Sequence, residues 1–325
     1  MSRIIKAAAL FAATGLVSVL MLAGCDMLGG GVTGETEAPP PEVEQAVPQV
    51  PRPVYQIPDI PVMTAPGTDV EENDKATIDF SNMSDGYVMA RFREDTDRQV
   101  RVILTIPDGT EYTYRLAPGG DFEVLPLSGG NGENVVRIFE QVEGTRYALA
   151  LSATLDVVMT DEFAPFLRPN QFVNFTRDSE VVRKAAELTA GIDGLMDTIA
   201  AIYNYVITNI EYDMVLAETV QSGYLPDPDQ VLARGMGICF DYAAVMAAML
   251  RSQGIPTKLV IGYTGEDYHA WISVYSDETG WMDDLIFFGE HDWRLMDPTF
   301  ASSGNTPEMI AFIGQGENYH ARFFH

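Results

Sequence analysis

The stretch Gly235-Met236-Gly237-Ile238-Cys239-Phe240-Asp241-Tyr242 decides how this chain folds. It leads into an apolar run from Ala243 to Leu250, closed by Arg251-Ser252-Gln253-Gly254-Ile255-Pro256. That pattern predicts a helix over Asp241–Gln253, stopped by Gly254 and Pro256. Cys239 then sits at a helix N-terminus, where unpaired amides and the helix dipole stabilise a thiolate. Downstream, Tyr268-His269-Ala270-Trp271 opens an alternating strand, and Trp293-Arg294-Leu295-Met296-Asp297-Pro298-Thr299 follows. The order is Cys, then His 30 residues later, then Asp 28 residues after that.

Thiol attack on an amide carbonyl needs a thiolate, an imidazole to protonate the leaving amine, and a group that orients the imidazole. Cys239, His269 and Asp297 supply those three types. The backbone amide of Cys239 is a first donor for an oxyanion hole. Tyr212, in Ile210-Glu211-Tyr212-Asp213, is the candidate for a second. Each residue also has a plainer explanation. A lone cysteine is more often an inert small hydrophobe, a strand histidine a packed ring, an Asp before Pro a turn cap, and a Tyr after a helix a packing residue. The combination favours the nucleophile. No His-x-x-x-His or Cys-x-x-Cys pair occurs, so neither a metal nor another cofactor is expected.

These motifs resemble the transglutaminase-like superfamily, of papain-like cysteine fold. The matching text is Gly237-Ile238-Cys239, Ala243, Leu250-Arg251, Gly254-Ile255-Pro256, Gly262-Tyr263, His269-Ala270-Trp271 and Leu295-Met296-Asp297-Pro298-Thr299. It spans about residues 165–300. More closely, the chain looks like bacterial lipoproteins that carry such a domain behind a β region. The resemblance implies a Cys239–His269–Asp297 triad acting on amide bonds through a thioester. The product is hydrolytic when water takes the acyl group (peptidase or amidase) and a crosslink when a lysine amine takes it. The chain lacks the long multi-domain body and calcium-site regions of animal transglutaminases. The competing class is a non-catalytic surface lipoprotein that keeps the fold and binds peptides or proteins; the presence of all three triad residue types argues against it. Cell-wall hydrolases with Cys-His-polar triads are chemically similar, but the helix text after Cys239 and Asp-Pro-Thr fit them poorly.

Around this segment the fold is expected to be α+β. Ser179–Ala190 and Leu195–Asn209 read as helices, with Leu195, Ile199, Ile202, Tyr203 and Val206 at helical spacing. Pro228–Arg234 reads as a short helix with Pro at its first position and Asp227 as cap. Lys258–Tyr263, His269–Tyr275 and Trp293–Asp297 read as strands, so residues 161–325 form the expected catalytic domain. Residues 70–160 hold no His and no Cys. Their short alternating runs lie between Gly-rich turns: Ala76–Phe80, Gly86–Phe92, Val100–Ile106, Tyr112–Leu116, Val135–Phe139 and Tyr147–Met159. An antiparallel β-sandwich-like domain is expected there, as a platform or a recognition module.

Nine of the 19 prolines fall between Pro39 and Pro66, and Arg52 is the only base from Gly31 to Thr68. Residues 25–69 are therefore expected to be an extended acidic linker; Pro51-Arg52-Pro53 is a weaker candidate for a docking motif. At the start, Arg3 and Lys6 precede an uncharged run from Ala7 that ends Leu22-Ala23-Gly24-Cys25. This resembles a lipoprotein signal peptide over residues 1–24 with Cys25 lipidated, carrying diacylglycerol and palmitate-type acyl chains. The alternative is an uncleaved transmembrane anchor. Either way the remainder lies outside the cytoplasm, held at a bacterial membrane. Composition agrees with export. There are 20 Lys+Arg against 47 Asp+Glu, a net charge of −27. That leaves no basic footprint for nucleic acid, so the expected partners are a peptide or protein substrate at the cell envelope, and the membrane through Cys25.

Overall fold

The alternating runs between Val70 and Val157 form eight strands: β1 (Val70–Glu72), β2 (Ala76–Asp79), β3 (Tyr87–Phe92), β4 (Val100–Thr105), β5 (Glu111–Leu116), β6 (Glu123–Pro126), β7 (Gly132–Glu143) and β8 (Arg146–Val157). In the computed structural model, which describes residues 55–283 and 319–325, they make two four-stranded antiparallel sheets. Their orders are β1-β2-β3-β6 and β5-β4-β7-β8. Period-2 patterning does the sorting: on β5 Tyr112, Tyr114 and Leu116 are buried while Glu111, Thr113 and Arg115 face out. The buried faces share one core, including Ile78, Phe92, Leu104, Leu125 and Ile138.

The second half begins with α1 (Glu180–Leu188) and α2 (Leu195–Asn209). There follow β9 (Glu211–Tyr212), α3 (Met214–Thr219), α4 (Pro228–Arg234), β10 (Met236–Gly237) and α5 (Cys239–Ser252). A four-stranded antiparallel sheet closes it, made of β11 (Thr257–Thr264), β12 (Asp267–Ser276), β13 (Gly280–Met282) and β14 (Tyr319–Phe324), in the order β13-β12-β11-β14. The predicted strand Trp293–Asp297 lies outside the described residues. Helix α5 is central: it packs on α1, α2 and α4 and on β11 and β12. Every residue from Tyr242 to Leu250 is fully buried. Ala243, Ala244, Ala247 and Ala248 give that helix the narrow girth such enclosure needs.

Two tertiary contacts explain local sequence. Asp227 caps α4, its side chain accepting from the Gln230 amide. Asp229, the second residue of α4, reaches across to accept from the Glu180 and Val181 amides at 3.0 and 2.8 Å, so α4 caps α1. At the other end of α5, the buried Arg251 guanidinium donates to the carbonyls of Thr257, Arg168 and His325. Burial pulls it down to about 9, so it stays cationic at neutral pH. This is the physical use of the Leu250-Arg251…Gly254-Ile255-Pro256 text: one cation ties the helix end, the next strand and the final residue together.

The described residues all belong to one compact unit. The C-terminal end lies on the seam between its halves. His325 is buried, 4.0 Å from the Phe172 ring and edge-on to Tyr112 and Tyr114 of β5. The Tyr112 hydroxyl accepts from the Phe324 amide at 3.2 Å. Residues 55–69 of the proline-rich segment run over both halves, with Tyr55 bonded to Arg183 of α1 and Asp59 near Arg177 before the segment reaches the β-rich half. Ile60 is buried, and the Gly67 amide donates to Asp79 at 2.7 Å. Among the described residues no helix is long and apolar enough to cross a membrane.

Candidate functional site

Cys239 is the first residue of α5 and is half-buried with a free thiol. The residue before it, Ile238, is extended (φ −98°, ψ 177°) and has no side-chain oxygen with which to cap the helix. Asp241, three residues into the helix, supplies the bond instead, its Oδ2 accepting from the Ile238 amide at 2.9 Å. Its Oδ1 accepts from the Tyr224 hydroxyl at 2.7 Å. Asp241 has no exposed surface. Burial raises its pKa against the opposing pull of the Ile238 and Tyr224 bonds. Burial and the bond to Asp241 push the Tyr224 phenol up to about 12, so it remains a donor. Gly237 makes room: a Cβ there would lie 2.6 Å from Asp241 Cβ.

The two residues before Ile238 pair with the segment that carries Tyr212. β9 and β10 form a two-residue parallel bridge, with Tyr212 opposite Gly237. The Asp213 amide donates to the Gly237 carbonyl at 2.9 Å. Tyr212 is thus held opposite the residue two positions before Cys239 and is half-buried. Asp213 goes on to cap α3, accepting from the Leu216 amide.

His269 stands on β12, on which α5 packs, and is 8% exposed. Its partner across the sheet is Gly262 of β11. Here too the glycine is a space requirement. A Cβ on Gly262 would come within 2.1 Å of the His320 carbonyl on β14 and 2.8 Å of the Trp271 ring. Trp271 is nearly parallel to the His269 ring at 6.3 Å, and Tyr319 stands edge-on to both. The neighbour of His269, Tyr268, is exposed, and the Cys239 thiol is among the groups that raise its pKa, after burial and Tyr263. Helix α5 thus packs on the histidine strand, and Tyr268 of that strand lies within electrostatic reach of Cys239. Asp297 and Cys25 lie outside the described residues.

Sequence reasoning singled out Cys239, His269 and Tyr212 as candidates and passed over Asp241 and Tyr224. The signal for Asp241 was present, an acid three positions after the residue that precedes the helix. The signal for Tyr224 was not, since nothing local pairs it with a residue 17 positions away.

Residues 182–283 match the model of the transglutaminase-like superfamily, so the chain carries a transglutaminase-like domain. Two curated proteins are similar over shorter stretches. One is "Uncharacterized protein YebA" of Bacillus subtilis, 30% identical over 120 residues, covering 30% of this chain and 16% of that protein. The other is "Protein-glutamine gamma-glutamyltransferase" of Pseudomonas aeruginosa, 37% identical over 60 residues, covering 14% of this chain and 9% of that protein. The chain therefore corresponds to a small part of either relative's length. Among solved structures it is similar to a "Putative Cysteine Protease from Cytophaga hutchinsonii". That match has 14% identity and a TM-score of 0.36, and covers 72% of this chain and 73% of that one.

Proposed function

We propose that the protein is a lipid-anchored, extracytoplasmic acyl-transfer enzyme that acts on amide bonds through a Cys239–His269–Asp297 triad. The observation that carries this is the placement of Cys239 at the first turn of a buried helix packed on the strand of His269. The Cys239 thiolate attacks the amide carbonyl, and the oxyanion is met by the Cys239 amide, with Tyr212 as the candidate second donor. The C–N bond breaks as the His269 imidazolium gives its proton to the departing amine, leaving a thioester on Cys239. Asp297 orients the imidazole. Water or a primary amine, deprotonated by His269, then attacks the thioester, and the thiolate leaves.

Met214, Val215, Met236 and Tyr268 are exposed on elements that border Cys239. An apolar rim of this kind suits a peptide or protein substrate with an apolar side chain beside the reacting amide. The membrane attachment is through lipid on Cys25, and the acidic residues after it hold the folded part off the bilayer.

The test is mass spectrometry of the folded protein incubated with a glutamine-containing protein, with and without a primary amine. Amine incorporation lost in Cys239→Ala establishes transamidation; peptide cleavage or a one-unit deamidation shift lost in the same variant establishes hydrolysis. Tight peptide binding without any product supports the non-catalytic class instead.

A further inference from the structure

A chain of contacts links the nucleophile's helix to the β-rich half. Both Asp241 oxygens are engaged, one by the Ile238 amide and one by the Tyr224 hydroxyl. Tyr224 follows Gly223 (φ +83°), and the Arg115 guanidinium lies against that glycine so closely that a Cβ would overlap it. Arg115 Nη2 donates to the Ser222 carbonyl at 2.9 Å, and Arg115 belongs to β5. The backbone of Arg115 is itself fixed at both its N–H and its C=O by the Gln171 side chain. The chain of contacts runs Gln171–Arg115–Ser222–Tyr224–Asp241–Ile238 and ends one residue before Cys239.

We propose that Asp241 is a positioning residue for Cys239. Its carboxyl group, braced by Tyr224, fixes the Ile238 amide and so the direction of the first helical turn that carries the thiol. Arg115 extends the brace into the β-rich half, which makes that half part of the apparatus that presents the nucleophile. The chemistry requires this rigidity. Ile238 cannot cap the helix, and amides at an unanchored first turn fray. A frayed turn no longer aims its N–H groups at a thiolate or an oxyanion. The inference rests on Cys239 being the nucleophile, but its test needs no amide substrate.

The experiment compares full-length variants by two site-resolved rates at one fixed pH: hydrogen exchange at the Ile238 amide and alkylation of Cys239 by iodoacetamide, mapped by peptide. Asp241→Ala and Asp241→Asn are both uncharged and differ in whether an acceptor remains for Ile238. The Asn side chain keeps that bond, and the Tyr224 hydroxyl turns to accept from its amide. The expected result is exchange at Ile238 about tenfold faster in Asp241→Ala than in Asp241→Asn, a factor in line with the loss of one hydrogen bond, with Cys239 alkylation several-fold slower. Tyr224→Phe, a deletion of one oxygen, shifts both rates the same way relative to wild type, and Arg115→Ala does so to a smaller degree. A cap that serves stability alone would lower the melting temperature of Asp241→Ala and leave alkylation of its folded molecules equal to that of Asp241→Asn; that result overturns the proposal. If Asp241→Ala does not fold, unchanged rates in Tyr224→Phe overturn it equally. Unchanged rates in Arg115→Ala overturn the part assigned to the β-rich half. A protein without acyl-transfer activity that still shows these rate differences refutes the proposed function and leaves the positioning intact.

Discussion

Gly237 has no side chain, and Asp241 occupies the space one would take, 2.6 Å from where a Cβ would stand. Gly237→Ala must push Asp241 off the Ile238 amide or shift the β9–β10 bridge. The expected cost is about 1–3 kcal/mol, the usual range for overpacking a closed site, measured as a lowered urea midpoint, together with slower Cys239 alkylation. The places of Cys239 at a helix start and His269 in an apolar strand were legible in the sequence, because the helix stop signals and the strand alternation are local marks. The steric role of Gly237 and Gly262 was not legible. It depends on Asp241 folding back in one case and on β14, far along the chain, in the other.

Elements with enough length to show a period were readable, and short ones were not. Leu195–Asn209 and Pro228–Arg234 emerge with the bounds their patterns gave, and the six alternating runs between Ala76 and Met159 are all strands. β1 and β6, at three and four residues, offer too few positions for alternation to register. α3 is one and a half turns exposed at Met214 and Val215, with no buried residue, so it has no apolar face to read. Helix α1 shows a different limit. Ser179 precedes it but makes no side-chain cap bond, and the bond comes from Asp229 on another helix. Asp229→Ala is therefore expected to cost about 1–2 kcal/mol, at the upper end for a lost cap, because two amides lose their acceptor. Chemical denaturation measures this, and Asp227→Ala, which uncaps α4 alone, should cost about 1 kcal/mol.

For the whole molecule, the seam at the C-terminal end sets the response to acid. Burial, helped by the Arg251 charge, pulls the His325 imidazole down to about 3 from 6.5. Between those values the unfolded chain holds the extra proton and the folded chain does not. Stability therefore rises with pH across that window and is lost as pH falls from 6.5 towards 3. His325→Phe, which keeps an aromatic ring among Tyr112, Tyr114 and Phe172, is expected to flatten the fall in melting temperature between pH 6.5 and 4. An unchanged acid slope in that variant would mean that other groups set it. The surplus of acids, 47 against 20 bases, makes such molecules repel one another.

The central claim is that Cys239 forms a thioester with the acyl part of an amide substrate. Intact-mass analysis of the folded protein, acid-quenched during turnover of a glutamine- or peptide-amide substrate, tests it most directly. The predicted result is an adduct equal to the substrate less its departing amine, mapped to Cys239 and absent from Cys239→Ala. An unmodified Cys239, with product formed at the same rate in Cys239→Ala, would contradict it.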